Sequence, residues 1–225
     1  MDKVQFIGET SLQLLKDGVS VRLDPGKTVA HEGDGLPCAG WFCPEDQEMV
    51  VAMGAEYSLE TYAHEYCHYT QWMDGRMVLD DDDDQIWEWL AGKDFPYSVV
   101  ERSVRSSQLL ESDNERRTVE LIQKYELPID LTTYRQKSNA YALFYNVVLK
   151  TRRWASTTPV YSVPEIYGKL PGDRILSDEE IMEDVPPWFY KAVVPRMGLP
   201  VVTPWWRKAL RGFKTPVYDP ALTQN

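Results

Sequence analysis

Five consecutive residues constrain this chain more than any others: His64-Glu65-Tyr66-Cys67-His68. Histidines four positions apart stand on one face of a helix, about 6 Å apart along its axis. The surrounding residues ask for that helix. Leu59, Tyr62, Ala63, Tyr66, Cys67, Thr70 and Met73 recur at helical spacing. Ser58 stands as the expected N-cap, and Asp74-Gly75 as the end, where glycine can take a left-handed conformation. Two imidazoles so placed can hold one Zn²⁺ at about 2.0–2.1 Å. Glu65 projects toward the position that a catalytic zinc leaves open. There a carboxylate can take a proton from a water that the metal acidifies and return it to a leaving amine.

A catalytic zinc needs a third protein ligand, and no histidine follows His68. His31, the remaining one, lies upstream in a glycine-rich turn region and reads as a surface residue. The third ligand is therefore expected to be a carboxylate on a later helix. The best stretch runs from Leu110 to Glu120, where Glu111 and Glu115 share a face at i, i+4. Glu111 is the preferred ligand, with Glu115 orienting a histidine through its free N–H. The reverse assignment, or Asp113 or Glu120 as ligand, are the alternatives. Peptide hydrolysis also needs a donor for the developing oxyanion. Tyr134, Tyr141, Tyr145 and Arg135 are available, and Tyr141 and Tyr145 are the named candidates. Cys67 reads as a small buried residue. Cys38 and Cys43 do not form a C-x₂-C knuckle, and an odd number of cysteines fits a reducing compartment.

The organisation of the chain is α+β. Residues 1–54 read as short strands and turns, with strands expected at 19–23, 40–42 and 49–53 and a turn at Pro44-Glu45-Asp46. After the motif helix, two further helical zones cover about 98–125 and 131–151, the second with Ala140, Leu143, Phe144, Val147 and Val148 on one side. From Trp154 the composition shifts. Ten of the 15 prolines lie between Pro159 and Pro220, and Trp188, Trp205 and Trp206 follow. Short helices are expected at 178–183 and 205–213, and otherwise an extended arm that wraps its own core or a partner. The expected division is a domain over 1–153 and an arm over 154–225. The run Asp80–Asp84 reads as a solvated loop, with a calcium site as the sharper alternative.

Strands, then a helix with His64-Glu65-x-x-His68, then a helix with Glu111-x-x-x-Glu115, resemble the gluzincin group of zinc metallopeptidases. The stretch His-Glu-Tyr-Cys-His-Tyr-Thr-Gln-Trp is also similar to small metallopeptidase-like proteins encoded by bacteriophages. The resemblance covers about residues 36–150. It implies a zincin-like fold, Zn²⁺ as cofactor, His64, His68 and Glu111 as ligands, Glu65 as general base, and Glu115 where Asp is more usual. It also implies a cleft in which an extended peptide pairs with an edge strand, supplied by residues 39–43 or 49–53.

The net charge of −11 argues against general nucleic-acid binding, which needs the opposite sign. No apolar run approaches the roughly 20 residues that span a bilayer, and no secretory signal is visible. A cytoplasmic or virion-associated location is expected. The functional expectation is zinc-dependent peptide-bond hydrolysis acting on a peptide or protein substrate. The alternative is a catalytically silent zincin-fold assembly module, such as a phage virion component, whose arm, with six basic residues against one acidic over 191–225, binds partners.

Overall fold

The computed structural model describes residues 2–30, 37–77, 85–155 and 159–197. The expectations for His31, for Asp80–Asp84, for a helix at 205–213 and for the rest of the chain beyond Met197 lie outside the described residues. Helices and short strands are mixed, as an α+β chain requires. The chain divides into two compact units, Met1–Val78 with Asp113–Tyr134, and Leu79–Ser112 with Arg135–Asn225.

The first unit opens with α1 (Lys3–Lys16), where strands and turns were expected. The period is there, because Phe6, Thr10 and Leu14 are the buried positions at i, i+4, i+8. The middle one is polar, so the stripe does not read as apolar. Asp2 caps the helix by accepting from the Gln5 N–H at 2.8 Å. Thr10 is tolerated inside because its hydroxyl donates to the Phe6 carbonyl at 2.7 Å and lies 2.9 Å from the Tyr62 hydroxyl, which also meets Ser11 at 2.8 Å.

β1 (Ser20–Asp24), β2 (Val29–Ala30), β3 (Pro37–Cys38), β4 (Gly40–Cys43) and β5 (Glu48–Ala52) follow. β2 and β3 form a small antiparallel pair. The main sheet has the order β1-β5-β4, with β1 parallel and β4 antiparallel to β5. Met49, Val50, Val51 and Ala52 are all fully buried, the mark of a strand covered on both faces. Being paired on both sides, β5 cannot be the edge that residues 49–53 were expected to supply, whereas β4 lies at the rim of the sheet.

α2 (Ser58–Met73) packs on this sheet, with Tyr69 and Trp72 against Phe42 and with Thr61 and Glu65 beside Gly40. Its N-cap is Tyr57 rather than Ser58, which is the first helical residue and accepts from the Lys3 ammonium at 3.2 Å. Asp74 is the C-cap and Gly75 takes φ +67°, as the sequence predicts.

The second unit begins with α3 (Gln85–Leu90), which the sequence reading did not expect. α4 (Tyr97–Lys124) is one continuous helix of 28 residues, and α5 (Leu131–Thr151) matches the expected span. Over 159–197 the chain forms a run of short helices with 3₁₀ turns around them: α7 (Asp178–Met182) lies where a short helix was expected, while α6 (Pro164–Tyr167) and α8 (Pro187–Val193) replace stretches expected to be extended. Ile166, Ile181, Phe189 and Val193 join the same buried cluster as Ile86, Leu90, Ala140, Leu143, Phe144, Val147 and Val148. Three buried amides pin this run. Asn139 donates to the carbonyls of Pro171 (2.9 Å) and Arg174 (3.0 Å), and Gln108 and Asn146 both donate to that of Ile181 (2.9 and 2.7 Å). No helix among the described residues is long and apolar enough to cross a membrane.

Candidate metal centre

α2 presents its motif as the spacing demands. The Nε2 atoms of His64 and His68 stand 3.1 Å apart, with the rings nearly perpendicular at 84°. His68 and Glu65 are buried at 7% and 8% exposure, and His64 is half-buried. The ligand atoms of His64, His68 and Glu111 all lie within 4.8 Å of one another, the one such His/Cys/Asp/Glu group among the described residues. Glu111 sits one helical turn before Glu115 on the unbroken α4 backbone.

The donor set suits a metal ion. At 2.0–2.1 Å from a common centre, nitrogens 3.1 Å apart subtend roughly 100°, near the tetrahedral angle that zinc favours. Two imidazoles and a carboxylate are the composition of a known class of catalytic zinc site with one position open.

Glu115 takes a place beside His64 rather than in the ligand group. Its Oε1 lies 3.3 Å from His64 Nδ1, and its Oε2 accepts from the Tyr134 hydroxyl at 2.6 Å. Burial and the adjacent Glu115 carboxylate push the Tyr134 phenol well above its usual range, so it stays a donor. Tyr134, one of the residues considered for the oxyanion, thus spends its hydroxyl on Glu115. Arg135 turns its guanidinium toward the Gly172 carbonyl at 3.5 Å. Tyr141 and Tyr145 have hydroxyls 3.2 Å apart, and both phenols are pushed up by burial and then by the Glu111 carboxylate. Asp113 and Glu120, the alternative ligands, are outside the group: Glu120 is exposed, and Asp113 binds two arginines. Cys67 is buried, which pushes its thiol up to about 12, and none of the three cysteines is in a disulfide.

Three residues at the site escaped the sequence reading. Asn114, fully buried, has its Nδ2 3.2 Å from the His64 carbonyl, to which it donates, and 3.0 Å from His64 Nδ1. Gln71, also fully buried, places Oε1 2.9 Å from His68 Nδ1. Both follow a named site residue by three positions, a spacing that marks a shared helix face but is too common to single them out. Gly40 on β4 is the third. A Cβ there would stand 2.8 Å from Thr61 Cγ2, 2.9 Å from the Val50 carbonyl and 3.3 Å from Glu65 Cγ. Only glycine lets the rim strand run this close to the helix that carries Glu65.

No protein-family model, curated protein or solved structure matches the chain.

Proposed function

We propose that this protein is a zinc-dependent metallopeptidase of the gluzincin type, with a zincin-like arrangement of sheet, motif helix and glutamate helix. The observation that carries the reading is the convergence of His64, His68 and Glu111 ligand atoms within 4.8 Å, with Glu65 buried beside them in the motif helix. His64, His68 and Glu111 hold the metal. When bound, zinc polarises a substrate carbonyl and makes water a nucleophile near neutral pH. Glu65 accepts the proton of the attacking water and delivers it to the leaving nitrogen. Glu115 keeps His64 oriented, and Tyr134 keeps Glu115 in place. Tyr141 and Tyr145 are the candidates to donate to the developing oxyanion. An extended peptide adds to the side of β4 away from β5, where Gly40 brings the strand against Glu65.

The test is metal analysis joined to turnover. The purified protein should carry one equivalent of zinc, His64→Ala should lose it, and Glu65→Gln should keep it while losing nearly all peptide cleavage. Equal metal in the parent and His64→Ala overturns the site. Stoichiometric zinc without cleavage of any peptide or protein offered, alongside a stable complex with another protein, favours the silent assembly module.

A further inference from the structure

His68 is held from behind by a chain of side chains within the first unit. Its Nδ1 lies 2.9 Å from Gln71 Oε1, and Gln71 Nε2 donates to Asp113 Oδ2 at 2.9 Å. Asp113 in turn accepts from Arg117 Nε (2.9 Å, to Oδ2) and from Arg76 Nη1 (3.0 Å, to Oδ1). Arg117 is itself anchored by Asp74 at 2.7 Å and by the Thr70 hydroxyl at 3.2 Å.

The direction of every proton in this chain follows from chemistry. An ionised carboxylate only accepts. The two guanidinium contacts keep Asp113 ionised. The Gln71 atom facing Asp113 must therefore be the NH₂, which turns its carbonyl oxygen toward His68. A carbonyl oxygen also only accepts, so His68 Nδ1 must carry the ring proton. A neutral imidazole has one N–H, so Nε2 is left with its lone pair. The Glu115 carboxylate 3.3 Å from His64 Nδ1 favours the same tautomer on the other ring, whereas the Asn114 amide nitrogen 3.0 Å from that atom opposes it. The two Nε2 atoms stand 3.1 Å apart, close enough to share one cation.

We infer that Gln71 and Asp113 are positioning residues that lock His68 in the Nδ1–H tautomer and so aim its Nε2 at the metal. This rests on the zinc reading and assigns that site a support which the motif does not contain. At His64 a carboxylate, that of Glu115, stands directly beside Nδ1 at 3.3 Å. For His68 the charge sits one residue further back, with a neutral amide passing on its orientation. The fully buried amide keeps water from replacing the contact.

The experiment is zinc titration by competition with a chromophoric chelator, on the full chain. Gln71→Leu should bind zinc about 10–100-fold more weakly than the parent. The exchange Gln71→Glu with Asp113→Asn keeps the charge and swaps acid and amide, so a carboxylate accepts directly from His68 and the amide bridges to Arg117. That double variant should return to within about threefold of the parent. It should also share the parent's Co²⁺ absorption bands, which a merely structural defect would not restore. Parent-like zinc affinity in Gln71→Leu overturns the inference, as does a double variant no better than Gln71→Leu. Long-range ¹H–¹⁵N spectra of the unmutated, metal-free protein at roughly pH 8.5, about two units above an ordinary imidazole pKa, read the tautomer with no dependence on how variants fold. A proton on His68 Nδ1 is expected, and one on Nε2 overturns the relay. If the parent binds zinc no better than His64→Ala, the zinc reading fails, while the spectra still decide the relay.

Discussion

Gly40→Ala tests the closeness of β4 to α2 without any reference to metal. The added methyl would stand 2.8 Å from Thr61 Cγ2 and 2.9 Å from the Val50 carbonyl oxygen, both below normal contact, and 3.3 Å from Glu65 Cγ. Gly40 is paired with Val51, and the Ala52 N–H donates to the Ala39 carbonyl at 2.8 Å. The strand therefore cannot move off without loosening the ladder beside it. Over-packing of this kind costs about 1–3 kcal/mol. For a chain of this length that is a fall in Tm of roughly 2–12 °C, read by circular dichroism on heating. The nearest clash is with a side chain, so Thr61→Ser should relieve part of it, keeping the hydroxyl that donates to the Tyr57 carbonyl at 3.2 Å. The Val50 oxygen is backbone and cannot be trimmed, so rescue should be partial, with a coupling of at least about 0.5 kcal/mol in the double-mutant cycle. Gly40→Ala melting with the parent would show that the strand does not approach the helix this closely. A full loss of stability that Thr61→Ser leaves untouched would show that the clash lies elsewhere.

Other outcomes follow from the same contacts. Tyr134→Phe removes the donor to buried Glu115, which should cost about 1–3 kcal/mol in denaturant unfolding and weaken zinc binding together. Zinc at about 100 times its Kd should stabilise the protein by about 2.7 kcal/mol, with the gain in Tm reversed by a chelator and absent in His68→Ala. The Glu180 carboxyl is held down to about 2 by hydrogen bonds from Arg174 and from the Ser177 N–H. Since its folded value is depressed, its contribution is present above the ordinary glutamate range and lost as pH falls toward 2. Arg174→Ala should therefore flatten the acid limb of the stability curve between about pH 4.5 and 2, and an unchanged limb would refute the pairing.

The motif helix, the glutamate helix and α5 were legible in the sequence because each carries a long 3.6-residue pattern. α1 and α3 were not. The first hides its buried face behind a threonine satisfied by its own carbonyl and by Tyr62, and the second is only six residues long. Apart from the helix expected at 178–183, the proline-rich stretch over 159–197 read as extended because prolines interrupt any period. Yet α6 and α8 begin at proline, where the missing N–H has no helical partner to lose.

By itself the order of residues determined that two imidazoles and an acid would share one helical face, since 3.6 residues per turn is a local property of the backbone. It also determined that any third ligand had to be a carboxylate, for want of another histidine downstream. Which carboxylate comes within reach, which one turns to His64, and that an amide and an aspartate stand behind His68 depend on how α2 and α4 lie side by side, and on a strand brought near by a glycine. Apart from the step from His68 to Gln71, those are distances between residues about 20 to 50 positions apart, and no periodicity along the chain encodes them.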